Sequence, residues 1–149
     1  MTETTDTGSF ASAEEYLAST PYGMGVLHEK MGIRLTEVTA ERIVATMPVE
    51  GNTQPYGLLH GGASCVLAEM LGSVGAANHG RRFGKVAVGV DINATHHRSE
   101  TSGVVTGVAT PAHLGRSSAT FEIVISNEQG KRVCTARITC SLIDASRFA

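Results

Sequence analysis

One acidic residue, Glu69, interrupts an apolar stretch of the 149-residue chain. The residues from Ala63 to Ala77 are mostly apolar and contain no proline, which predicts a long buried helix over His60–Asn78. A carboxylate in such a helix must be paired, hydrogen-bonded or protonated, and no Lys or Arg lies within one turn of it. Ser73 follows one turn later, where its hydroxyl can hold a water beside the carboxylate. Glu69 is therefore a candidate nucleophile or base, and a structural glutamate that reaches solvent is the alternative.

Two glycines, Gly61 and Gly62, stand where this helix must begin, directly after His60. Glycines leave the backbone N–H groups of a first turn unshielded, and the helix dipole adds partial positive charge there. Such a terminus can stabilise an oxyanion, although the same pair can equally provide a tight entry turn. The start of the predicted helix is thus a candidate oxyanion hole.

Strands must support this helix. After it, apolar residues recur with a period of two, which is typical of strands with one buried face. Two extended segments precede it, and a short helix is expected over Ala13–Leu17 after a flexible tail over residues 1–12. The length favours one domain, 1–149, and the element order predicts an α+β fold with an antiparallel sheet packed on the helix. The predicted strands are Ile33–Val38, Ile43–Val49, Val86–Ile92, Gly103–Thr110, Ala119–Ile125 and Cys134–Leu142, with a hairpin turn at Asn127–Lys131.

The composition argues against several partners and sites. A net charge of -2 provides no broad basic face for nucleic acid or an anionic membrane. The three cysteines, Cys65, Cys134 and Cys140, have no CxxC spacing, so we expect buried reduced thiols rather than disulfides or a zinc site. The first residues carry acids and no apolar core, which argues against a signal peptide and predicts a cytoplasmic location.

The motifs around these residues resemble one family. They are Gln54, Gly57–Ala63, Leu67–Glu69, Gly72–Ser73, Val88–Ser99 and His113–Gly115. From them the chain is identified as a member of the hotdog-fold acyl-CoA thioesterases, in the glutamate-bearing 4-hydroxybenzoyl-CoA thioesterase branch. Within that branch it is most similar to 1,4-dihydroxy-2-naphthoyl-CoA hydrolase and to the proofreading thioesterase of enterobactin synthesis. The resemblance covers nearly everything after Ile33 and implies an antiparallel sheet wrapped around one long central helix.

The resemblance also implies roles for individual residues. Glu69 matches the catalytic carboxylate, the N–H of Gly61 matches the donor to the thioester oxygen, and Ser73 matches the position that helps hold the lytic water. Gln54 and His60 match polar groups near the thioester carbonyl. The positions that match contacts to the CoA part of the ligand are Gly89, His96, His97, Arg98, Ser99, His113, Leu114, Gly115, Arg116, Ser117 and Ser118.

The implied reaction is hydrolysis of an aromatic acyl-CoA thioester, with 1,4-dihydroxy-2-naphthoyl-CoA and menaquinone biosynthesis as the expected substrate and setting. Because a thioester needs a nucleophile and a stabilised oxyanion more than a general acid, one carboxylate can suffice. CoA belongs to the substrate, so neither a cofactor nor a metal is expected. The resemblance further implies a homodimer, assembled into a homotetramer. The expected site lies between subunits, with Gln54, His60 and Gly61 of one subunit facing Glu69 and Ser73 of the other.

Other classes of protein fit these residues less well. A serine hydrolase would need a G-x-S-x-G motif, which is not present around Ser64. Adjacent strand residues such as His96 and His97 point to opposite faces and cannot chelate one metal ion together. A hotdog dehydratase would also pair a histidine with an acid, but Glu69 beside Ser73 suits water addition better. The alternatives left open are a hotdog module that binds acyl-CoA without hydrolysing it and a thioesterase of a different acyl-CoA.

Overall fold

The computed structural model describes residues 8–148. Two short helices come first, α1 at Ala13–Ala18 and α2 at Val26–Lys30, and one long helix, α3, spans Gly61–Arg81. The strands are β1 (Arg34–Val38), β2 (Ile43–Pro48), β3 (Lys85–His96), β4 (Val104–Leu114), β5 (Ser118–Ser126) and β6 (Arg132–Asp144), followed by a 3-10 turn at Ala145–Phe148. Within the described part of the chain, no helix is long and apolar enough to cross a membrane.

The strands form one antiparallel sheet in the order β1-β2-β4-β5-β6-β3. Helix α3 packs against this sheet and contacts β2, β3, β4, β5 and β6. The predicted α+β architecture, a sheet on one long helix, is therefore confirmed. The helix begins at Gly61 rather than at His60, because His60 has an extended backbone and caps the first turn.

Two glycines of α3 allow the helix to lie very close to the sheet. A Cβ atom at Gly72 would lie 1.9 Å from Cγ2 of Ile138, and one at Gly75 would lie 2.6 Å from the ring of Phe121. Both partner side chains are fully buried, on β6 and β5. A larger residue at either glycine would force the helix and the sheet apart, so these positions fix the distance between the two layers.

Strand β3 departs from the predicted pattern of one buried face. Its Val88 is 37 % exposed and its Val90 is 67 % exposed. The strand lies at the edge of the sheet, and its register with β6 shifts between Gly89 and Asp91, so the alternation of buried and exposed residues is broken. In β5 and β6 the predicted buried faces are confirmed, through Ala119, Phe121, Ile123, Ile125, Cys134, Ala136, Ile138, Cys140 and Leu142.

The segment before β1 is held against α3 more firmly than the sequence predicted. Residues 1–7 of the expected tail lie outside the described residues, but Phe10 is buried. The backbone N–H of Phe10 donates to Oδ1 of Asn78 at 2.7 Å, and the guanidinium carbon of Arg81 lies 4.0 Å from the centre of the Phe10 ring. The Phe10 ring also contacts Tyr16 of α1 edge to face. The tail prediction is therefore wrong for Phe10, because α3 supplies partners that no local pattern reveals.

Candidate active site

Glu69 lies half-buried in the middle of α3, and it has no hydrogen-bond or ion-pair partner among the described residues. Its Oε1 atom lies against β3 at Gly89, where an added Cβ atom would be only 2.5 Å away. Only glycine at this position lets the carboxylate approach the edge strand so closely. Gly89, which the resemblance matches to a CoA contact, therefore borders the carboxylate in the structure.

Ser73 lies one turn after Glu69 and shares the same cavity wall. Its Oγ atom is 4.0 Å from Sγ of Cys140 on β6. Burial raises the pKa of the Cys140 thiol, the contact with Ser73 opposes this, and the negative charge of Glu69 raises it further. The thiol therefore stays protonated near neutral pH. The Ser73 hydroxyl is the polar group beside Glu69 to which a water could bind.

The first turn of α3 contains one free backbone donor. The N–H of Gly62 donates to Nδ1 of His60 at 2.8 Å, and the N–H groups of Ala63 and Ser64 both donate to the His60 carbonyl. The N–H of Gly61 has no partner among the described residues. A free N–H at the positive end of a long helix dipole is the type of group that stabilises an oxyanion.

A cavity of about 350 Å³, here called the polar cavity, opens beside Gly61. Gln54 lines it, and because its Oε1 accepts a hydrogen bond from the backbone N–H of Tyr56, its NH₂ group is free to donate to a ligand. His96 also lies against Gly61, where an added Cβ atom would be 2.7 Å from Nε2 of the histidine. The other polar lining residues are Ser64, His97, Arg98 and Ser99. Gln54 and Gly61 therefore share this cavity with His96–Ser99, whereas the third residue matched to the carbonyl, His60, lines a separate cavity of about 430 Å³.

A second cavity, of about 140 Å³, lies beside Glu69 and is here called the acyl cavity. Its lining is mostly apolar, and four of its residues, Tyr16, Gly23, Met24 and His28, come from α1, α2 and the segment between them. Burial raises the pKa of the Tyr16 hydroxyl, which therefore stays protonated. Sequence reasoning missed these residues because only the tertiary fold brings this segment to Glu69, and no motif surrounds them.

The described chain keeps Gly61 and Glu69 apart. They open onto separate cavities, and Glu69 lies eight positions after Gly61 along the helix, an axial rise of about 12 Å. Gln54 and Gly61 thus line one cavity, and Glu69 and Ser73 line the other. Within one chain these two pairs do not face each other. Each pair is half of the predicted site.

The residues matched to CoA contacts are also divided. His96–Ser99 border the polar cavity at the start of α3. His113–Ser118 lie beside the other end of this helix, which is about 30 Å long. There the Gly115 carbonyl pairs with Nε2 of His79 at 2.8 Å, and the guanidinium of Arg116 lies over the ring of Phe83. One chain therefore does not bring the two segments to a common ligand.

The adjacent histidines of β3 and the loop after it point in different directions. His96 faces Gly61, whereas Nε2 of His97 pairs with Oγ1 of Thr135 at 2.9 Å. Their divergence agrees with the expectation that neighbouring residues of an extended chain face opposite sides. In the part of the chain that the structure describes, no three potential metal ligands lie together.

Comparison with known proteins decides the family. The sequence matches the family described as Thioesterase superfamily over residues 56–134. The chain belongs to this superfamily. This thioesterase is 49 % identical to the proofreading thioesterase EntH of Cronobacter turicensis over 121 residues, which cover 80 % of this chain and 88 % of that protein. It is 48 % identical to the EntH protein of Cronobacter sakazakii, with the same coverage of both chains.

Solved structures support the same assignment. A thioesterase from Haemophilus influenzae has a TM-score of 0.79 and 37 % identity, over 91 % of this chain and 92 % of that one. A glutamine-to-alanine mutant of a thioesterase from Pseudomonas aeruginosa also has a TM-score of 0.79, with 39 % identity over 88 % and 93 % of the two chains. The expected hotdog fold and the expected class of enzyme, a thioester hydrolase, are confirmed.

Proposed function

We propose that this thioesterase hydrolyses the thioester of an aromatic acyl-CoA, with 1,4-dihydroxy-2-naphthoyl-CoA as the first substrate to test. The observation that carries the proposal is the unpaired carboxylate of Glu69 beside the mostly apolar acyl cavity. An acyl ring in that cavity would place its carbonyl carbon close to the carboxylate. The relatives named proofreading thioesterase support the thioester part of the proposal.

One carboxylate can hydrolyse a thioester by two routes. In the first, an oxygen of Glu69 attacks the carbonyl carbon, the C–S bond breaks, CoA leaves as a thiolate, and water then hydrolyses the mixed anhydride. In the second, Glu69 takes a proton from a water held near Ser73, and the resulting hydroxide attacks the carbonyl carbon. Both routes put negative charge on the carbonyl oxygen, which the N–H of Gly61 and the helix dipole would stabilise.

Single-turnover hydrolysis in ¹⁸O-labelled water separates the two routes. A mixed anhydride opened at the side-chain carbon leaves label in the peptide that contains Glu69, whereas the general-base route sends all of the label into the released acid. Mass spectrometry of the digested enzyme and of the acid measures both fractions. Label in the Glu69 peptide would establish the anhydride route, whereas label in the acid alone would mean either the general-base route or an anhydride opened at the acyl carbon.

We propose that a second copy of the chain completes the site. In the part of the chain that the structure describes, strand β3 pairs with β6 alone, so its outer edge and its exposed valines, Val88 and Val90, are available to another strand. Pairing the β3 edges of two copies would bury these valines and would allow the Gly61 turn of one subunit to face Glu69 of the other. A homotetramer of two such dimers follows the assembly that the resemblance implies.

Within such a site the polar cavity would hold the thioester and the adjoining part of CoA. The free NH₂ group of the Gln54 amide can donate to the carbonyl in this cavity. His60, whose Nδ1 atom accepts the Gly62 N–H, lines a different cavity of the single chain, so its contact with the carbonyl would depend on the completed site. Arg98 at the polar cavity provides a guanidinium for a phosphate group of CoA. The His113–Ser118 segment would contribute to CoA binding through the second copy.

The size of the acyl cavity supports a second candidate substrate, a single-ring acyl group such as benzoyl. An apolar cavity of about 150 Å³ holds one benzene molecule, and the acyl cavity measures about 140 Å³. A fused two-ring acyl group would need the neighbouring walls, which include Met24 and His28, to move. The volume therefore favours benzoyl-CoA, whereas the sequence resemblance favours the naphthoyl thioester.

Release of free CoA, followed with a thiol reagent, tests the proposal. We expect hydrolysis of both benzoyl-CoA and 1,4-dihydroxy-2-naphthoyl-CoA, and their kcat/KM ratio ranks the two candidates. An aliphatic acyl-CoA of similar length is the control for aromatic selectivity. Binding of all three without thiol release would favour the non-hydrolytic binding module, and faster release from the aliphatic thioester would overturn the aromatic assignment.

A further inference from the structure

One buried hydroxyl in the protein lacks a hydrogen bond. Ser64 is 1 % exposed, and its Oγ is the sole buried side-chain polar atom without a partner among the described residues. The other buried polar side chains are bonded: Asn52 donates to the carbonyls of Met31 and Pro48, Asn78 bonds to Phe10 and Thr39, and Thr120 pairs with Thr139. A buried hydroxyl without a hydrogen bond destabilises the folded state, so such a group in a native protein needs a structural or functional reason.

The usual partner of a helical serine is already occupied. A serine hydroxyl in a helix ordinarily donates to the carbonyl four residues earlier, which for Ser64 is the carbonyl of His60. That oxygen accepts the N–H of Ala63 at 2.9 Å and the N–H of Ser64 itself at 3.3 Å. Because a carbonyl oxygen has two lone pairs, no good site is left for the hydroxyl.

The position of Ser64 points to a ligand. It lies at the end of the first turn of α3, three residues after Gly61, so the two residues share one side of the helix. Both line the polar cavity, together with Gln54. With the Gly62, Ala63 and Ser64 N–H groups engaged by His60, the N–H of Gly61 is the one free backbone donor of this first turn among the described residues.

We propose that the Ser64 hydroxyl donates a hydrogen bond to the thioester oxygen and acts as a further oxyanion donor beside the Gly61 N–H. The hydroxyl forms no covalent bond and transfers no proton; its hydrogen bond strengthens as negative charge develops on the oxygen and weakens when the C–S bond breaks. Oxyanion holes combine several donors, and each contributes because it is already oriented before the reaction. The inference rests on the proposed thioester hydrolysis.

Two substitutions that each remove one buried hydroxyl test this role. In Ser64→Ala no existing hydrogen bond is lost, so we expect Tm to stay the same or rise, while kcat for benzoyl-CoA falls by about 10- to 100-fold with KM changed much less. The matched control is Thr120→Val, which removes a buried hydroxyl that is bonded to Thr139 at 3.0 Å. The control should lower Tm and leave kcat unchanged.

The opposite responses of the two variants distinguish catalysis from structure. A Ser64→Ala enzyme with kcat within about threefold of the wild type would overturn the proposal, and so would a fall in kcat accompanied by a fall in Tm like that of Thr120→Val. A wild-type protein that releases no thiol from any acyl-CoA would overturn the proposed function and this inference with it. An active wild type with an equally active Ser64→Ala variant would overturn the role of Ser64 alone.

Discussion

Two sides of α3 differ in how closely they are packed. On the side facing β5 and β6, Gly72 and Gly75 leave no room for a Cβ atom. On the side that carries Glu69 and Ser73, the helix borders the acyl cavity of about 140 Å³. Because the first side holds the two layers of the fold together and the second leaves space for a ligand, we expect stability and chemistry to depend on different residues of one helix. Substitutions on the two sides should therefore have separable effects.

The largest effect is expected from Glu69→Gln, which keeps the shape of the side chain and removes its charge. We expect kcat to fall by about a thousandfold or more, because the nucleophile or base is lost. The variant should fold normally and keep its Tm, since Glu69 has no hydrogen-bond or ion-pair partner among the described residues. Steady-state kinetics and thermal denaturation measure the two quantities. More than a tenth of the wild-type kcat would show that the chemistry lies elsewhere.

The next largest effect is expected on the side of α3 that faces β5 and β6. A glycine-to-alanine change inside a helix ordinarily stabilises a protein by about 0.5–1 kcal/mol. For Gly72→Ala we expect the reverse, a loss of about 1–3 kcal/mol in the free energy of unfolding, because the new Cβ would overlap Cγ2 of Ile138. Denaturant titration measures the change, and a stabilised variant would contradict the close packing.

A double-mutant cycle sharpens this result. Ile138→Ala removes the methyl group that meets the new Cβ atom, so it should cost less stability in the Gly72→Ala background than in the wild type. Strictly additive losses would mean that the two positions do not touch.

A smaller effect tests whether the two halves of the site meet between subunits. Gln54→Ala and Glu69→Ala should each be inactive, and each should stay inactive when refolded alone. When equal amounts are refolded together, half of the dimers are mixed, and each mixed dimer has one intact site out of two. About a quarter of the wild-type activity should therefore return. An inactive mixture would mean that both groups act from the same subunit.

The smallest effect concerns the buried thiols. Burial, with a smaller contribution from the nearby thiol of Cys65, raises the pKa of Cys134 to about 11, although a hydrogen bond with the Thr95 backbone opposes the rise. The folded state thus holds this proton more tightly than the unfolded chain does, so its contribution to stability is complete below about pH 9 and is lost as the pH rises to about 11. Urea denaturation across this range should show the loss, and Cys134→Ala should reduce the slope. An equal slope in the variant would assign the loss to other groups.

The reactivity of the three cysteines gives a further check at neutral pH. All three cysteines are free, and Cys134 and Cys140 are buried, whereas Cys65 is half-buried. We expect a thiol reagent to modify Cys65 alone in the native protein and activity to be independent of reductant. A native mass that shows an oxidised pair would contradict this expectation.

The long helix could be predicted because its residues are mostly apolar and no proline interrupts it. Strands β5 and β6 could be predicted because their apolar residues recur with a period of two and are buried within one chain. The exposure of Val88 and Val90 could not, since it depends on the edge position of β3 and on a register shift against β6. Helix α2 was missed because its five residues are too few to show a period. Local sequence patterns therefore predicted the long elements of the core, but not the edge strand's exposure or the five-residue helix.

For the candidate site, the motif located Gly61, Gln54, Glu69 and Ser73, and the resemblance divided them between two subunits. The separate cavities beside Gly61 and Glu69 are compatible with that division, but the shape and lining of each cavity depend on the folded chain. His28 illustrates the same limit, because it reaches the acyl cavity from a segment with no recognisable pattern. Ser64 lay inside the motif, but the occupied carbonyl that leaves its hydroxyl unpaired is a feature of the folded helix.

The walls of the acyl cavity contributed by Tyr16, Met24 and His28 have an evolutionary consequence. These residues precede residues 56–134, the part of the chain that matches the superfamily. Under the proposed function, the chemistry and the recognition of the acyl group would be encoded in successive stretches of the chain. Mutation or recombination near the amino terminus would then change which acids the enzyme releases and leave the helix that carries Glu69 intact. Diversification of substrates would then proceed by exchanging a short leading segment.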